Sequence, residues 1–239
     1  IAHCNFKLRG KESDADEEFV KILADKYAKK AYVTSFKTTD YITENKVSLQ
    51  VAARELRYDW FVQIMQENDI KTLVTAHHAD DNLETFIINL SRGTGIEGLT
   101  GIPEKTNFIS RPLLPFSRSE ILNYAEEHKL DWREDQSNQE TKYLRNKIRH
   151  KIVPELKELH PTFLANFINT QNYLSQTSVL LDGIIHTVRN TIFKSNSNVF
   201  IIEISALQKL EPLEPYIYQL FKPYGFSDAN AIIELFSSL

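Results

Sequence analysis

The order of apolar and polar positions predicts short strands and helices that alternate over the first two thirds of the chain. Helical periodicity occupies four segments, at about 13–30, 48–68, 81–91 and 117–128. Apolar runs rich in β-branched or aromatic residues lie at 31–37, 72–75 and 108–109. The polar, aperiodic stretch 38–47 is typical of a mobile loop. This alternation predicts an α/β fold, a parallel sheet with flanking helices.

The pattern changes beyond Pro154. One long helical pattern fills about 161–193, followed by a turn at 195–198, a strand at 199–204 and two shorter helical patterns. We therefore predict a domain boundary near 153–160. The expected division is an α/β domain at 1–153 and a smaller, mainly helical domain at 154–239.

Composition narrows the class of protein. The chain has 239 residues, of which 42% are hydrophobic, enough for a sizeable core. Its single cysteine, Cys4, excludes a disulfide framework or a cysteine-rich zinc site within one chain and suits a reducing compartment. No apolar run approaches the roughly 20 residues that span a bilayer. We expect a cytoplasmic protein without a membrane segment.

Charge is unevenly distributed although the net charge is only −4. Residues 142–151 carry five Lys or Arg and no acid, whereas residues 11–18 carry five acids and one Lys. A local basic stretch can hold phosphates even on an acidic protein. The alternative for so short a run is a solvated helix face.

Residues 76–85, Ala-His-His-Ala-Asp-Asp-Asn-Leu-Glu-Thr, carry the densest cluster of chemically active side chains. The cluster follows a predicted strand and opens a predicted helix, and ligands of open α/β sheets bind at the carboxyl ends of strands. His77, His78, Asp80 and Asp81 could transfer protons, bind a divalent ion or contact phosphate. The alternative is a pair of loop histidines with an aspartate that caps the helix.

Several motifs in order resemble those of the tRNA-Ile lysidine synthetase family, of the N-type ATP pyrophosphatase or PP-loop class. They lie at 5–10, 53–58, 76–85, 92–95, 111–114 and 145–149. The resemblance covers residues 1 to about 154 and implies an adenine nucleotide alpha-hydrolase-like fold. The family's Ser-Gly-Gly-x-Asp-Ser loop occurs nowhere in the 239 residues, and Phe6 and Asn82 stand where His and Gln are usual. We expect that the loop and the first strand lie upstream of Ile1, and that these residues alone are inactive.

The resemblance implies an ATP-dependent ligation that joins free L-lysine to C2 of the anticodon wobble cytidine of tRNA-Ile, which has a CAU anticodon. The reaction passes through an adenylated tRNA and forms lysidine, AMP and pyrophosphate. ATP and Mg²⁺ are the expected cofactors. Residues 1–153 would form the catalytic domain and 154–239 the tRNA-binding domain. The oligomeric state is open, with a homodimer kept as one expectation.

The resemblance also implies roles for individual residues. His77 and Asp81 match positions nearest the reaction, where Asp81 would orient the lysine ammonium or hold Mg²⁺. Asp80 would cap the helix. Arg54 and Arg57, one helical turn apart, would clamp phosphate or tRNA as catalytic residues. The expected nucleotide-binding residues are Arg92, Gly93, Gly95, Arg145 and Arg149, of which the last two would otherwise reach the tRNA.

Three other functions remain open from the sequence. A tRNA thiolation enzyme shares the class, but its iron–sulfur forms need more cysteines than Cys4. A metal-dependent phosphohydrolase would use the His-His-x-Asp-Asp cluster as metal ligands. The chain could also be a non-catalytic fragment that binds tRNA or a nucleotide.

Overall fold

The computed structural model describes residues 1–134, 144–196, 199–226 and 228–237. The chain divides into two compact units. The first comprises residues 1–82 and 102–153, and the second comprises residues 83–101 and 154–239. The second unit thus includes an internal segment that a single boundary at residue 153 leaves out. As a division of function, 1–153 and 154–239 stays a prediction.

The first unit contains the strands and helices predicted to alternate. Its strands are β1 (Ala2–Asn5), β2 (Tyr32–Ser35), β3 (Leu73–Val74), β4 (Lys105–Thr106) and β5 (Ile109–Ser110). Its helices are α1 (Lys11–Lys26), α2 (Thr38–Asn45), α3 (Leu49–Glu67), the start of α4 (Ala79–Ser91), α6 (Arg118–Glu127) and α7 (Leu144–Lys147). A π-helical turn, Ile148–Ile152, follows α7.

The strands of the first unit form two small sheets. In one, β1 runs parallel to β2, with Ala2 opposite Tyr32 and Asn5 opposite Ser35. In the other, β3 runs parallel to β5, and β4 pairs antiparallel with β5. Within the described residues no hydrogen-bonded strand pair joins the two sheets. The predicted parallel pairing is confirmed, while the antiparallel strand β4 arises because residues 105–110 turn back as a hairpin.

The stretch 38–47, predicted to be a loop, instead contains helix α2. Its polar residues bond to nearby backbone: Thr43 Oγ1 donates to the Thr39 carbonyl at 2.9 Å and Asn45 Nδ2 to the Tyr41 carbonyl at 3.0 Å. Thr38 is buried and donates to the Phe6 carbonyl at 3.2 Å. The loop prediction was wrong because these hydrogen bonds stabilise a helix that lacks a clear apolar stripe.

Helices α3 and α6 begin where their capping residues predict. The Ser48 side chain accepts a hydrogen bond from the Val51 N–H, which caps α3. At α6, Ser117 and Glu120 form a reciprocal capping box, in which each side chain accepts a hydrogen bond from the other residue's backbone N–H. Local sequence therefore determines both starting points.

The second unit is mainly helical. After the rest of α4 its helices are α5 (Ile96–Leu99), α8 (Val153–Glu158), α9 (Phe163–Ile192), α10 (Ile204–Leu207), α11 (Leu213–Phe221) and α12 (Ala229–Ser237). Strands β6 (Phe193–Asn196) and β7 (Val199–Ile202) pair antiparallel. Its main core consists of Ile192, Leu207, Ile217, Leu220, Ala229 and Ile232. Among the described residues, no helix has the length and apolarity needed to cross a membrane.

Candidate functional site

The loop between β3 and α4 holds the central side chains of the candidate site. Its backbone is fixed at both ends, since the Thr75 N–H donates to the Ser110 carbonyl at 3.0 Å and the Ala79 N–H to the Phe116 carbonyl at 2.8 Å. The loop therefore begins at the carboxyl end of a parallel strand, as the sequence predicts. The two histidines occupy its last positions before the helix.

His78 and Asp81 form a reciprocal cap at the start of α4. The His78 N–H donates to Asp81 Oδ2 at 3.2 Å, and the Asp81 N–H donates to His78 Nδ1 at 3.3 Å. This arrangement is that of a capping box in which histidine replaces the usual serine or threonine. It needs an unprotonated Nδ1 on His78, because that atom accepts a hydrogen bond.

Asp80 caps a different helix from the one expected. Its Oδ2 accepts a hydrogen bond at 2.8 Å from the backbone N–H of Arg118, the first residue of α6. The sequence-based role of Asp80 as the cap of its own helix was therefore wrong, because a partner 38 positions away reaches it. Asp80 is buried and joins the starts of α4 and α6.

Asp81 also forms an ion pair with an arginine. Arg149 Nη2 donates to Asp81 Oδ1 at 3.1 Å, and both side chains are largely shielded from solvent. Arg149 lies in the π-helical turn, a kind of irregularity that is frequent at functional sites. The structure therefore brings two of the predicted site residues into direct contact.

His77 lies in an environment that favours its neutral form. Burial is the largest cause that lowers its pKa from the ordinary 6.5, Asp81 opposes this effect, and Arg111, Arg145 and Arg54 lower the pKa further. His77 Nδ1 is 2.9 Å from Thr75 Oγ1, which orients the ring. A neutral imidazole among guanidinium groups can accept a proton or a hydrogen bond near neutral pH.

Arg111 is a site residue to which sequence reasoning assigned no role. It follows β5, is only 7% exposed, and donates from Nη1 to the Pro103 carbonyl at 2.7 Å. Its Nε is buried without a hydrogen-bond partner in the described structure. The sequence signal that could have identified it is an arginine directly after a predicted strand, at the end of the strand where ligands of α/β sheets bind.

Arg54 and Arg57, both on α3, contact different aromatic rings. The guanidinium of Arg54 lies 4.8 Å from the ring centre of Tyr58, and that of Arg57 lies 5.3 Å from Phe6. Phe6 in turn stacks on Phe36 at 5.4 Å. These cation–π contacts hold both arginines in defined positions. The Tyr58 ring therefore helps to position Arg54. That Arg54 and Arg57 clamp phosphate or tRNA stays a prediction.

Cys4 on β1 lies close to Arg57. Burial raises the pKa of its thiol to about 11, and the positive charge of Arg57 opposes that shift. The adjoining Asn5 is buried and donates from Nδ2 to Asp14 at 3.0 Å and to Glu17 at 2.8 Å. Part of the acidic run 11–18 therefore positions the end of β1.

The basic stretch 142–151 is described from residue 144 onward, so Lys142 and Tyr143 lie outside the described residues. Arg145 is exposed on α7 and Arg149 is half-buried. Since Arg145 affects the pKa of His77 and Arg149 binds Asp81, both belong to the same site. Whether they bind nucleotide or tRNA stays a prediction.

The glycine-rich loop with Arg92, Gly93 and Gly95 belongs to the second unit. Gly93 has φ 70°, a left-handed conformation that favours glycine. Gly95 precedes α5, and Asn89 Nδ2 donates to the Gly98 carbonyl at 2.8 Å, which closes the loop. Turn geometry accounts for these features, so the nucleotide-binding role stays a prediction.

The described side chains offer few groupings that could bind a metal ion. Across the described parts of the chain, no group of three or more His, Cys, Asp or Glu residues is arranged to hold a metal ion. The four-ligand set of a phosphohydrolase is therefore not assembled there. Mg²⁺ commonly uses one or two carboxylates together with substrate phosphates. Asp81 is such a carboxylate, and in this structure its two oxygens accept hydrogen bonds from Arg149 and from the His78 N–H.

The chain is similar to several tRNA(Ile)-lysidine synthases. The enzyme of Bacteroides thetaiotaomicron is 40% identical over 229 residues, which is 96% of this chain and 53% of the relative. That of Porphyromonas gingivalis W83 is 41% identical over 241 residues, which is 100% of this chain and 52% of the relative. The chain thus spans about half the length of the curated relatives it matches.

A solved structure shares the fold. The U34-tRNA thiolase NcsA from Methanococcus maripaludis, with its [4Fe-4S] cluster, matches with a TM-score of 0.57 and 17% identity. The match covers 72% of this chain and 60% of the thiolase chain. At this identity the likeness supports the predicted fold alone.

Two family models match the sequence. One describes a PP-loop domain and matches residues 1–156, which include the β3–α4 loop and Arg149. The other describes the TilS substrate binding domain and matches residues 195–239. The resemblance stated from the motifs is confirmed, and the chain belongs to the PP-loop family.

Proposed function

We propose that the protein is an ATP-dependent ligase that converts the wobble cytidine of tRNA-Ile with a CAU anticodon to lysidine. In the first step the C2 oxygen of cytidine attacks the α-phosphorus of ATP, and pyrophosphate leaves. In the second step the ε-amine of lysine forms a bond to C2, the C2–O bond breaks, and AMP leaves. The amine loses its protons during this attack.

The observation that carries the proposal is the convergence of His77, Asp81 and several arginines in a PP-loop family domain. Arg149 contacts Asp81 at 3.1 Å, and the charges of Arg54, Arg111 and Arg145 reach His77. Such a cluster suits a reaction whose substrate and leaving groups are phosphates. Guanidinium groups offset the charge that develops on phosphate oxygens.

His77 is proposed as the proton acceptor for the lysine amine. Its lowered pKa keeps the imidazole neutral near pH 7, so it can take a proton or accept a hydrogen bond. Asp81 is proposed to attract the lysine ammonium before the proton is removed. Bound Mg²⁺ would supply positive charge at the phosphates of ATP. If Asp81 were its protein ligand, that role would replace the attraction of the lysine ammonium.

The names of the relatives and the second family match support tRNA-Ile as the nucleic-acid substrate. L-lysine as the second substrate follows from the proposed product. We also propose a cytoplasmic location, because tRNA and ATP are found there. A homodimer remains part of the proposal.

The test is lysine incorporation by the full-length gene product. Radiolabelled lysine, ATP and a tRNA-Ile transcript with the CAU anticodon should give labelled tRNA, AMP and pyrophosphate. The matched control is the same transcript with uridine at the wobble position, which should accept no lysine. Failure with the CAU transcript, or equal labelling of both, would refute the proposed reaction.

A further inference from the structure

Arg111 carries a buried positive charge that has no anionic partner among the described residues. The residue is only 7% exposed, and its guanidinium stays charged at every ordinary pH. A buried charge is costly unless another charged or polar group pairs with it. Asp81, the carboxylate that also influences His77, is paired with Arg149 instead. The surroundings of Arg111 therefore favour an anion that a ligand supplies.

The guanidinium of Arg111 is held through one of its three nitrogens. Nη1 donates a hydrogen bond to the Pro103 carbonyl at 2.7 Å. Nε is buried without an acceptor, and in the described part of the chain it is the one buried side-chain nitrogen or oxygen in that state. Nε and Nη2 together form an edge that can donate two parallel hydrogen bonds to the two oxygens of one anion. The edge best suited to an anion is thus the one that the described residues leave unused.

The pairing of β3 with β5 places Arg111 beside the reacting groups. The two strands are parallel, with Val74 opposite Ser110, and the Thr75 N–H donates to the Ser110 carbonyl at 3.0 Å. Arg111 therefore follows the end of β5 next to the strand end from which the His77 loop begins. Ligands of α/β sheets bind at these carboxyl ends. The charge of Arg111 is close enough to lower the pKa of His77.

Burial and charge favour a carboxylate over a phosphate at this edge. The phosphates of tRNA belong to a bulky backbone, for which the exposed Arg54 and Arg145 are better placed than a buried side chain. A carboxylate brings the single negative charge that one guanidinium neutralises, whereas ATP and pyrophosphate bring several. Free lysine also carries opposite charges at its two ends. A site with Asp81 and Arg111 offers a partner of opposite charge for each end.

We propose that the Nε–Nη2 edge of Arg111 binds the α-carboxylate of the lysine substrate. The inference rests on the proposed function and adds how the amino acid is recognised. The carboxylate supplies the acceptors that Nε and Nη2 lack and an opposite charge for the guanidinium, while the ε-ammonium is directed to Asp81. Arg111 thereby selects free lysine over a diamine, a lysine amide or a lysine within a peptide, none of which has a free α-carboxylate.

The test compares L-lysine with L-lysinamide, which keeps both amino groups and replaces one carboxylate oxygen by NH₂. An NH₂ group is a donor, so the amide cannot accept two parallel hydrogen bonds from the arginine. The full-length gene product should prefer lysine by roughly 100-fold, both in kcat/KM for tRNA labelling and in equilibrium binding by calorimetry. In Arg111→Gln the ratio of the two substrates should fall to within about threefold of one.

The ratio of the two substrates removes effects that they share, such as a changed His77 pKa or a lower stability. Arg145→Gln is the matched control, because the charge of Arg145 also lowers the pKa of His77 but its side chain is exposed. This variant should keep the wild-type ratio. Arg111→Lys keeps the charge without the planar edge and should give an intermediate ratio. Circular dichroism of each variant checks that it remains folded.

Equal binding of lysine and lysinamide by the wild type would overturn the proposal, whatever the variants do. An unchanged ratio in Arg111→Gln would also overturn it, and weaker ATP binding in that variant would make a phosphate the anion. If the wild type forms lysidine and gives either result, the proposed reaction stands and only the role of Arg111 is refuted. If it prefers lysine through Arg111 but forms no lysidine, the binding role is supported and the proposed reaction fails.

Discussion

Arg149 donates a hydrogen bond to Asp81 at 3.1 Å across 68 positions of sequence. The contact connects the π-helical turn to the first turn of α4. Because Asp81 also accepts a hydrogen bond from the His78 N–H, one carboxylate fixes the helix start and the arginine together. Substitutions of Asp81 should therefore affect both the rate of lysidine formation and the local structure at the start of α4.

The first prediction compares the two neighbouring aspartates in the full-length gene product. Asp81→Asn should slow lysidine formation by about 100-fold or more, because a fixed charge at the reacting centre is lost. Asp80→Asn should cost less rate and at most about 1 kcal/mol of stability, since an amide oxygen can still accept from the Arg118 N–H. Single-turnover rates and thermal melts measure both effects. Near-wild-type rates for both variants would show that the β3–α4 loop takes no part in the reaction.

The second prediction concerns pH. Since burial lowers the pKa of His77 below 6.5, the neutral form should persist below that pH in the folded protein. This group's contribution to stability should fall as the pH drops below 6.5, because only the unfolded chain then binds the proton readily. The ring signals of His77 in an NMR titration should show a midpoint below 6.5, and Arg145→Gln should raise it. A midpoint above 6.5 in the wild type would contradict the prediction.

The third prediction separates Arg145 from Arg149. Arg149 binds Asp81, so Arg149→Ala should lower the rate of lysidine formation and leave the salt dependence of tRNA binding unchanged. Arg145 is exposed, and Arg145→Ala should reduce the salt slope of tRNA binding by about one unit if it contacts a phosphate. Filter binding at several salt concentrations measures the slope. If Arg149→Ala instead lowers the salt slope while Arg145→Ala lowers only the rate, Arg149 contacts the tRNA and Arg145 acts at the reaction centre.

The fourth prediction tests Arg111. Arg111→Gln should raise the pKa of His77, because a nearby positive charge disappears, whereas Arg111→Lys should preserve the lowered value. Both variants should lose the hydrogen bond to the Pro103 carbonyl and be less stable by roughly 1–3 kcal/mol. NMR titration and urea denaturation measure the two effects. An unchanged His77 pKa in Arg111→Gln would exclude electrostatic coupling.

Local signals in the sequence predicted the helices with clear caps or long apolar periods. Ser48 and Ser117 mark the starts of α3 and α6, and the periodicity beyond Phe163 predicted α9. Helix α2 was missed because its polar side chains bond to nearby backbone carbonyls, which leaves no periodic apolar signal. The α/β class followed from these elements even though the strands are only two to four residues long.

The sequence was enough to locate the candidate site, but not to predict the contacts of its individual side chains. The cluster at 76–85 identified the loop, yet the different roles of Asp80 and Asp81 depend on Arg118 and Arg149, which are distant in the chain. The buried position of Arg111 likewise depends on how β5 pairs with β3. Such partners become apparent only when the strands are placed side by side.

The raised pKa of Cys4 bears on thiol-specific labelling of this 239-residue chain. Because burial raises the pKa of this thiol to about 11, Cys4 is almost entirely protonated near neutral pH. A cysteine introduced at an exposed position should therefore react with maleimide far faster than Cys4. Fluorophores or spin labels can then be attached at one chosen residue while the native cysteine stays in place.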